Sequence, residues 1–198
     1  MSTERSSGPS IEQLQQHVAA ILELLGYDLT DQHFLRSPER ISKVWAAFTK
    51  NGSDSEAASL LDVVFDDEHD SLIQVGPISV ISMCAHHGLP VRGEAWVGYI
   101  PDKRITGLSK LARLVHHYAH QLTVQERVTQ QIANTLQGAL EPLGTMVVIR
   151  AEHGCMTLRG VREPNALTTT SAVRGVFLTD SSAKEEFLRL IQIQGESR

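Results

Sequence analysis

The stretch IQVGPISVISMCAHHGLPVRGEAWVGYI, residues 73–100, joins two apolar runs through a short polar turn. The first run, residues 73–83, is rich in valine and isoleucine, and residues 91–100 alternate well enough to form a second strand. The turn between them contains Gly88 and Pro90, which break regular structure. The pattern therefore predicts a hairpin-like pair of strands that carries a Cys-His turn at its tip.

The tip of this predicted hairpin holds a thiol and two imidazoles within four residues. Cys84 and His87 are spaced C-x2-H, so one tight turn directs both at a single metal ion, and zinc binds thiolate sulfur and imidazole nitrogen readily. The only other cysteine, Cys155, follows His153 by two residues, and residues two apart on a strand point to the same side. Cys84, His87 and Cys155 would leave a fourth coordination position for water, which is the pattern of a catalytic zinc.

The competing interpretation of the two cysteines is burial as small apolar side chains. A disulfide between them is disfavoured, because residues 1–10 are polar and lack the hydrophobic core of a secretory signal. The combination of C-x-H-H with H-x-C favours the metal site.

The composition narrows the class of protein. The chain has 198 residues, of which 41% are hydrophobic and 21% charged, as in ordinary globular proteins. No apolar run approaches the roughly 18 residues of a membrane span. The formal net charge of −5 argues against nucleic acid as the main partner. We expect a cytoplasmic protein with reduced thiols and without membrane partners, in which a local basic cluster would hold any anionic ligand.

Helix and strand patterns along the chain indicate an α+β domain. Apolar spacing predicts a first helix over residues 11–25 with Ser10 as its N-cap. A strand over residues 145–152 runs straight into the H-x-C motif, residues 168–171 read as a loop, and a further strand follows at residues 173–178. The order helix-helix, strand-strand, helix-helix, strand-strand, helix is typical of antiparallel pairs rather than of a doubly wound sheet.

Basic residues accompany the Cys and His motifs. Ser109, Lys110 and Arg113 occupy the start of a predicted helix, where free backbone N–H groups and the helix dipole favour phosphate. Arg159 follows Cys155 by four residues, and arginine binds phosphate oxygens bidentately. Each charge alone is more often an exposed surface residue, but their joint placement beside the motifs favours an anion site.

Taken in order, these motifs resemble the signature of the GTP cyclohydrolase I family. The resemblance runs from about residue 37 to residue 190. It is carried by Ser82-Met83-Cys84-x-His86-His87, Gly107-Leu108-Ser109-Lys110-Leu111-x-Arg113, Val124-Gln125-Glu126-Arg127, His153-x-Cys155-Met156-x-x-Arg159-Gly160 and Thr168-Thr169-Thr170-Ser171.

The resemblance implies a tunnelling fold (T-fold), in which an antiparallel sheet is packed by helices, with an N-terminal helical extension. The composition of residues 1–10, dominated by Ser, Thr and Gly, predicts a disordered tail, and the helical patterns predict an N-terminal helical region at residues 11–70. The T-fold catalytic domain is then expected at residues 71–198. The resemblance also implies a homo-oligomer, a homodecamer in this family, with sites at subunit interfaces.

The activity implied by the resemblance is the conversion of GTP and water to 7,8-dihydroneopterin triphosphate and formate, with Zn2+ as cofactor. The family's zinc ligands match Cys84, His87 and Cys155. The other matches are His86 and His153 for proton transfer, Ser109 for action on the ribose, Lys110, Arg113 and Arg159 for the triphosphate, Gln125 for a ribose contact and Glu126 for guanine, with Arg40 and Lys43 as weaker phosphate candidates reaching in from a neighbouring subunit.

The chain departs from the family pattern at two places. Ala85 stands where the family usually has a glutamate, and His120-Gln121 stand where it usually has two arginines. Glu126 has a competing role, because Thr123 and Glu126 fit a helix capping box.

Two other interpretations of the function stay open. One is a purine-nucleotide-binding paralogue with altered or no turnover, which stops at a ring-opened formamide or modulates an active partner. The other is a structural zinc protein without a nucleotide site.

Overall fold

The computed structural model describes residues 10–48 and 52–196, in two compact units that divide between Asn51 and Gly52. The predicted tail at residues 1–10 lies outside the described residues, apart from Ser10. Within those ranges, no helix is long and apolar enough to cross a membrane.

The first unit contains two helices that pack against each other, α1 (Ile11–Leu24) and α2 (Ser37–Ala47). The Ser10 side chain accepts a hydrogen bond from the backbone N–H of Gln13, so the predicted N-cap of α1 is confirmed. The helix ends just before Gly26, whose φ of 87° suits the left-handed residue that commonly follows a helix.

The second unit is built on a sheet with helices packed against it. Its elements are α3 (Asp54–Ser59), β1 (Val64–Asp66), β2 (Ile73–Cys84), β3 (Pro90–Ile100), β4 (Arg104–Thr106), α4 (Leu108–Ala119), β5 (Leu122–Thr123), α5 (Gln125–Leu140), β6 (Gly144–His153), α6 (Gly154–Thr157), β7 (Leu167–Gly175) and α7 (Ser181–Glu196). Over the described residues the main sheet has the order β5-β2-β3-β6-β7, and all its pairs are antiparallel except β2 with β5. The predicted α+β class with antiparallel strand pairs is confirmed.

The predicted hairpin of residues 73–100 forms the centre of this sheet. β2 and β3 pair from Ile73 opposite Tyr99 to Met83 opposite Pro90, with a register shift between Val75 and Ile78. Proline lacks the N–H that a strand ladder needs, and Pro77 lies within that shift. The predicted strand pair and its turn are confirmed.

Alternation along the strands gives the sheet two apolar faces. Ala95, Val97 and Tyr99 of β3 belong to the core on which α4 and α5 pack, while Trp96 packs with Phe187 of α7 on the opposite face. Fully burying a large apolar side chain stabilises a fold by about 1.5–3 kcal/mol. The larger core therefore holds α4 and α5, the two helices that carry candidate site residues, against the sheet.

Two local predictions at the C-terminal strand are wrong. Residues 168–171, predicted as a loop, lie in β7 and pair with residues 148–151 of β6, whereas residues 176–178, predicted as strand, form a 3-10 turn after Gly175. The threonine run reads as polar, but threonine is β-branched and fits a strand well.

The predicted capping box at the start of α5 is also wrong. Val124 occupies the cap position, and no side-chain cap hydrogen bond is found there among the described residues. Thr123 is buried in β5, where it pairs with Cys84 of β2, so the sheet holds the residue that would have capped the helix.

The prediction that one continuous strand carries the H-x-C motif is wrong as well. β6 ends at His153, and Cys155 lies in the helical turn α6, which starts at Gly154. A Cβ atom at Gly154 would lie only 3.0 Å from the carbonyl oxygen of Pro90, so this turn approaches β3 closely and a larger residue would push against it.

Candidate metal centre and its surroundings

The structure brings Cys84, His87 and Cys155 together at one end of the sheet. Their sulfur and imidazole nitrogen atoms all lie within 4.8 Å of one another, and Cys84 Sγ is 3.8 Å from His87 Nδ1. Both cysteines are free thiols. Two thiols and an imidazole at this spacing are a donor set that could hold a metal ion.

The turn after β2 sets the positions of Cys84 and His87. The backbone N–H of Gly88 donates to the carbonyl of Cys84 at 2.9 Å, and the N–H of Cys84 donates to the carbonyl of Leu89 at 2.8 Å. Gly88 has a φ of 63°, a conformation that glycine adopts without steric cost. This tight turn returns the His87 side chain to the side of Cys84.

Strand pairing brings Cys155 to the same place. His153 lies opposite Val91 on β3, and Val91 lies opposite Ser82 on β2, so the ends of β2 and β6 flank the same residue. The helical turn after β6 then places Cys155 against a small buried cluster that includes Cys84 and Val91.

The electrostatics of the cluster fit a cation. The pKa of the Cys155 thiol is raised, first by burial and then by the neighbouring Cys84 sulfur, whereas Arg159 acts to lower it. Metal ligation requires the deprotonated thiolate, and a bound cation offsets these unfavourable effects on the charged form.

Two histidines that are not in the cluster lie beside it. His86 is exposed, with Nδ1 4.0 Å from Cys84 Sγ. His153 Nε2 is 2.8 Å from Oε1 of Gln125 on α5. The pKa of His153 is lowered, mainly by burial, while the carboxylate of Glu126 partly opposes this.

The first turn of α5 and the segment after α6 supply further candidates. Gln125 is buried, whereas Glu126 is exposed in the first turn of the helix, where a carboxylate is favoured by the helix dipole. Arg159 is exposed and its NH1 lies 2.7 Å from His87 Nε2. These residues border the cluster within a single chain.

Ser109 and Lys110 lie in the first turn of α4, which starts at the end of the sheet opposite the cluster, and Arg113 lies near the middle of that helix. The backbone N–H of Thr106 bonds to the Tyr99 hydroxyl at the opposite end of β3, and α4 starts just after it. α4 then runs back toward β5, which pairs with Cys84. A helix of 12 residues is about 18 Å long, so its length separates the first turn of α4 from the end that faces β5 and Cys84.

Arg40 and Lys43 lie on α2, in the first unit, and both are exposed. The Lys43 ammonium is 2.6 Å from Oε1 of Glu39 in the same helix. An exposed pair of this kind contributes little to stability.

The residues that depart from the family pattern have local structural contacts. The backbone N–H of Ala85 donates to the carbonyl of Thr123, and the Gln121 side-chain amide donates to the carbonyl of His117 at 3.0 Å. His120 stacks on His116, with ring centroids 5.4 Å apart.

The threonines that surround Gln125 were not predicted from the sequence. Thr170 of β7 and Thr129 of α5 lie in one hydrogen-bonded group with the Gln125 amide and backbone carbonyl. The available signal was the threonine run at residues 168–170, whose β-branched side chains favour a strand.

Comparison with known proteins assigns the family. The sequence model described as GTP cyclohydrolase I matches residues 14–192. A Porphyromonas gingivalis protein named GTP cyclohydrolase 1 is 45% identical over 189 residues, covering 96% of this chain and 97% of the relative. Relatives of the same name are 44% identical in Gloeobacter violaceus, with 96% and 89% covered, and 42% identical in Rattus norvegicus, with 96% and 79% covered.

A solved structure, that of the archaeosine synthase QueF-Like in the apo form, matches 53% of this chain and 92% of its own at 14% identity and a TM-score of 0.42. The match over residues 14–192 and the relatives above 40% identity are decisive. The chain belongs to the GTP cyclohydrolase I family.

Proposed function

We propose that this chain is a zinc-dependent GTP cyclohydrolase I, which hydrolyses GTP at purine C8 and rearranges the product to 7,8-dihydroneopterin triphosphate with release of formate. The observation that carries the proposal is the meeting of Cys84, His87 and Cys155 within 4.8 Å in a member of this family. The antiparallel sheet, packed on one face by α4 and α5, supports the T-fold as its architecture.

The donor set of the cluster fits Zn2+. Two thiolates and one imidazole suit a borderline-soft cation, and three protein ligands leave a position open for water or substrate. When bound, zinc supplies a Lewis acid that makes water a stronger nucleophile near neutral pH.

His86 and His153 are the proposed proton carriers. Both lie beside the cluster, one in the turn after β2 and the other at the end of β6. Burial lowers the pKa of His153, so its imidazole is neutral and able to accept a proton at pH 7.

Glu126 is the proposed guanine contact and Arg159 a triphosphate contact. Glu126 is exposed and not engaged in the predicted capping box, so its carboxylate is free to accept two N–H groups from the base edge. Arg159 borders the cluster and presents a guanidinium that suits phosphate oxygens.

Ser109, Lys110 and Arg113 are proposed to act in the site of a neighbouring copy. The length of α4, about 18 Å, separates its first turn from the end that faces β5 and Cys84 of its own chain, so a complete site needs α4 from a second chain. This supports a homo-oligomer with sites at subunit interfaces, and the homodecamer of the family is the proposed assembly. Arg40 and Lys43 stay weaker candidates from a neighbouring subunit.

A second candidate function is favoured by Ala85. Its methyl group stands in the exposed turn between Cys84 and His86, where the family usually has a carboxylate. Without that charge, the site could release the ring-opened formamide or bind GTP without turnover.

The predicted cytoplasmic location and the predicted division at residues 11–70 and 71–198 stay predictions.

Incubation of the zinc-loaded protein with GTP tests the proposal. We expect formate and 7,8-dihydroneopterin triphosphate, identified by ultraviolet absorbance and mass, and we expect a chelator to abolish both until zinc is restored. Accumulation of the ring-opened formamide would favour the second candidate. A metal-replete protein that yields neither formate nor a ring-opened product would contradict the proposed activity.

A further inference from the structure

We infer that Gln125 is a positioning residue that fixes the tautomer of His153, rather than a contact to the ribose of the substrate. The catalytic consequence rests on the proposed function, whereas the hydrogen-bond argument depends only on the contacts of Gln125, His153 and β7.

The orientation of the Gln125 amide is determined by its neighbours. Nε2 lies 3.1 Å from the backbone carbonyl oxygen of Ile149, 3.1 Å from that of Thr168 and 3.0 Å from Thr170 Oγ1. Backbone carbonyls only accept hydrogen bonds, so the NH2 end of the amide must face them. An amide flipped by 180° would set Oε1 against two carbonyl oxygens, which excludes that orientation.

The same orientation leaves Oε1 facing His153. Oε1 of Gln125 is 2.8 Å from His153 Nε2 and can only accept a hydrogen bond. The Nε2 atom of His153 must therefore carry a proton. In the neutral ring, the lone pair that takes up a proton then lies on Nδ1, so this contact selects which nitrogen exchanges protons with a ligand.

The threonines hold the Gln125 side chain in place. Thr129 Oγ1 donates to the backbone carbonyl of Gln125 at 2.8 Å, so its proton is committed to that bond. The 2.7 Å contact between the hydroxyls of Thr170 and Thr129 must then be donated by Thr170, which leaves Thr170 oxygen able to accept from Gln125. The two N–H bonds of Gln125 Nε2 share three acceptors, and all three lie on the same side of the amide, so its NH2 end is held there.

The surroundings of Gln125 argue against a ribose contact. Its residue exposure is 6%, and the cavity that it lines with Ser82 and Thr123 has a volume of about 10 Å³. A void of that size holds one water molecule at most, so a sugar does not fit there. Turning the amide toward a ligand outside would break its three contacts, two of them to backbone carbonyl oxygens, at a cost that substrate contact would have to offset.

The tautomer is measurable without substrate. We would record 15N NMR spectra of histidine-labelled, deuterated, zinc-loaded full-length protein and assign the His153 ring by its loss in His153→Gln. The inference predicts a proton on Nε2 of the neutral ring. A wild-type His153 ring with its proton on Nδ1 would overturn the inference, and this holds whether or not any variant folds.

Variants separate positioning from binding. Gln125→Met has a similar length but no acceptor, so we expect His153 to lose its preference for the Nε2–H form. Thr170→Val keeps the Oε1 acceptor and both carbonyl partners of Nε2, and it should retain the Nε2–H form. Persistence of a pure Nε2–H form in Gln125→Met would count against the inference.

Kinetics give the second readout. Loss of the correct tautomer should lower the kcat of Gln125→Met on the order of 10²- to 10⁴-fold, as for other general acid–base groups, while KM for GTP stays within about threefold. A raised KM with kcat retained would instead establish a substrate contact and overturn the inference. If the wild-type protein releases no formate from GTP, the proposed function fails, and the tautomer measurement still decides the role of Gln125.

Discussion

His86 and His87 are neighbours in the chain but lie in different relations to the two thiols. Both are exposed, but only His87 has a ring nitrogen within 4.8 Å of both cysteine sulfurs in the group with Cys155. The two adjacent imidazoles can therefore be separated experimentally into a ligand and a proton carrier.

His87→Ala should lose zinc, and His86→Ala should keep it. Removing one of three protein ligands leaves too few donors to hold the ion, so bound zinc should fall from about one per chain toward zero. The His86 variant should retain the metal and lose turnover instead. Metal analysis by plasma mass spectrometry after gel filtration checks both. Full zinc content in His87→Ala would contradict the ligand assignment.

Glu126→Gln should weaken GTP binding because the neutral amide cannot accept both N–H groups of the guanine edge. The loss of a charged hydrogen-bond partner corresponds to about 1.5–3 kcal/mol. Isothermal titration calorimetry of the protein with GTP measures the change in affinity. The matched control is Glu186→Gln, which makes the same exchange at an exposed position on α7. Equal affinities for the two variants would show that Glu126 does not bind the base.

At the scale of the elements, the β2–β3 hairpin, α1 with its Ser10 cap and the strand β6 were all predictable, because each follows from local periodicity and a cap or turn residue. The failures lie where tertiary pairing overrides local preference. Thr123 is held in β5 opposite Cys84 rather than capping α5, and the threonine run is paired with β6 although it reads as a polar loop.

Gly154→Ala and Gly138→Ala should change stability in opposite directions. An added Cβ at Gly154 would lie 3.0 Å from the Pro90 carbonyl oxygen and push α6 away from β3. This should lower the free energy of unfolding by about 1–3 kcal/mol and weaken metal binding. Gly138 lies in the interior of α5 with open space around it, so alanine there should stabilise by about 0.5–1 kcal/mol. Urea unfolding and zinc affinity of both variants check this; a Gly154→Ala protein as stable as the wild type would contradict it.

Tyr118 should make stability sensitive to high pH. Its hydroxyl donates to Asp54 Oδ1 at 2.9 Å, and burial is the main cause that raises the pKa of Tyr118 to about 12. The unfolded chain loses this proton near pH 10 while the folded chain keeps it, so the stability contribution is complete below about pH 10 and disappears as pH rises toward 12.

Tyr118→Phe tests this pH dependence. At pH 8 the variant should be less stable by about 1 kcal/mol, the contribution of a typical hydrogen bond. The difference from wild type in urea unfolding should shrink as pH rises from about 10 to 12. A difference that stays constant across this window would contradict the assignment.

For the whole molecule, the sequence predicted which residues form the metal cluster but not where the basic residues of α4 lie. The cluster of Cys84, His87 and Cys155 could be predicted from the spacing of its motifs, because these residues lie in short turns at the ends of paired strands. The position of Lys110 depends on the direction in which α4 crosses the sheet, which no local pattern encodes. The result is a chain that holds the cluster and the first turn of α4 at opposite ends of one sheet.

Two inactive variants should therefore restore activity when they assemble together. Lys110→Ala retains the cluster and Cys155→Ser retains α4, so a mixed oligomer contains interfaces with every residue intact. Random mixing of two copies predicts recovery of about a quarter of the wild-type sites. Formate release after co-expression measures it, with each variant expressed alone as the control. Activity that never exceeds that of the separate variants would contradict a shared site.

X-ray absorption at the zinc edge of the metal-loaded protein tests the central claim most directly, because it reports the atoms bound to the ion. The account predicts two sulfur ligands at about 2.3 Å and one imidazole nitrogen at about 2.0–2.1 Å, with a further light atom. A spectrum with fewer than two sulfurs, or one unchanged in Cys155→Ser, would contradict a centre formed by Cys84, His87 and Cys155.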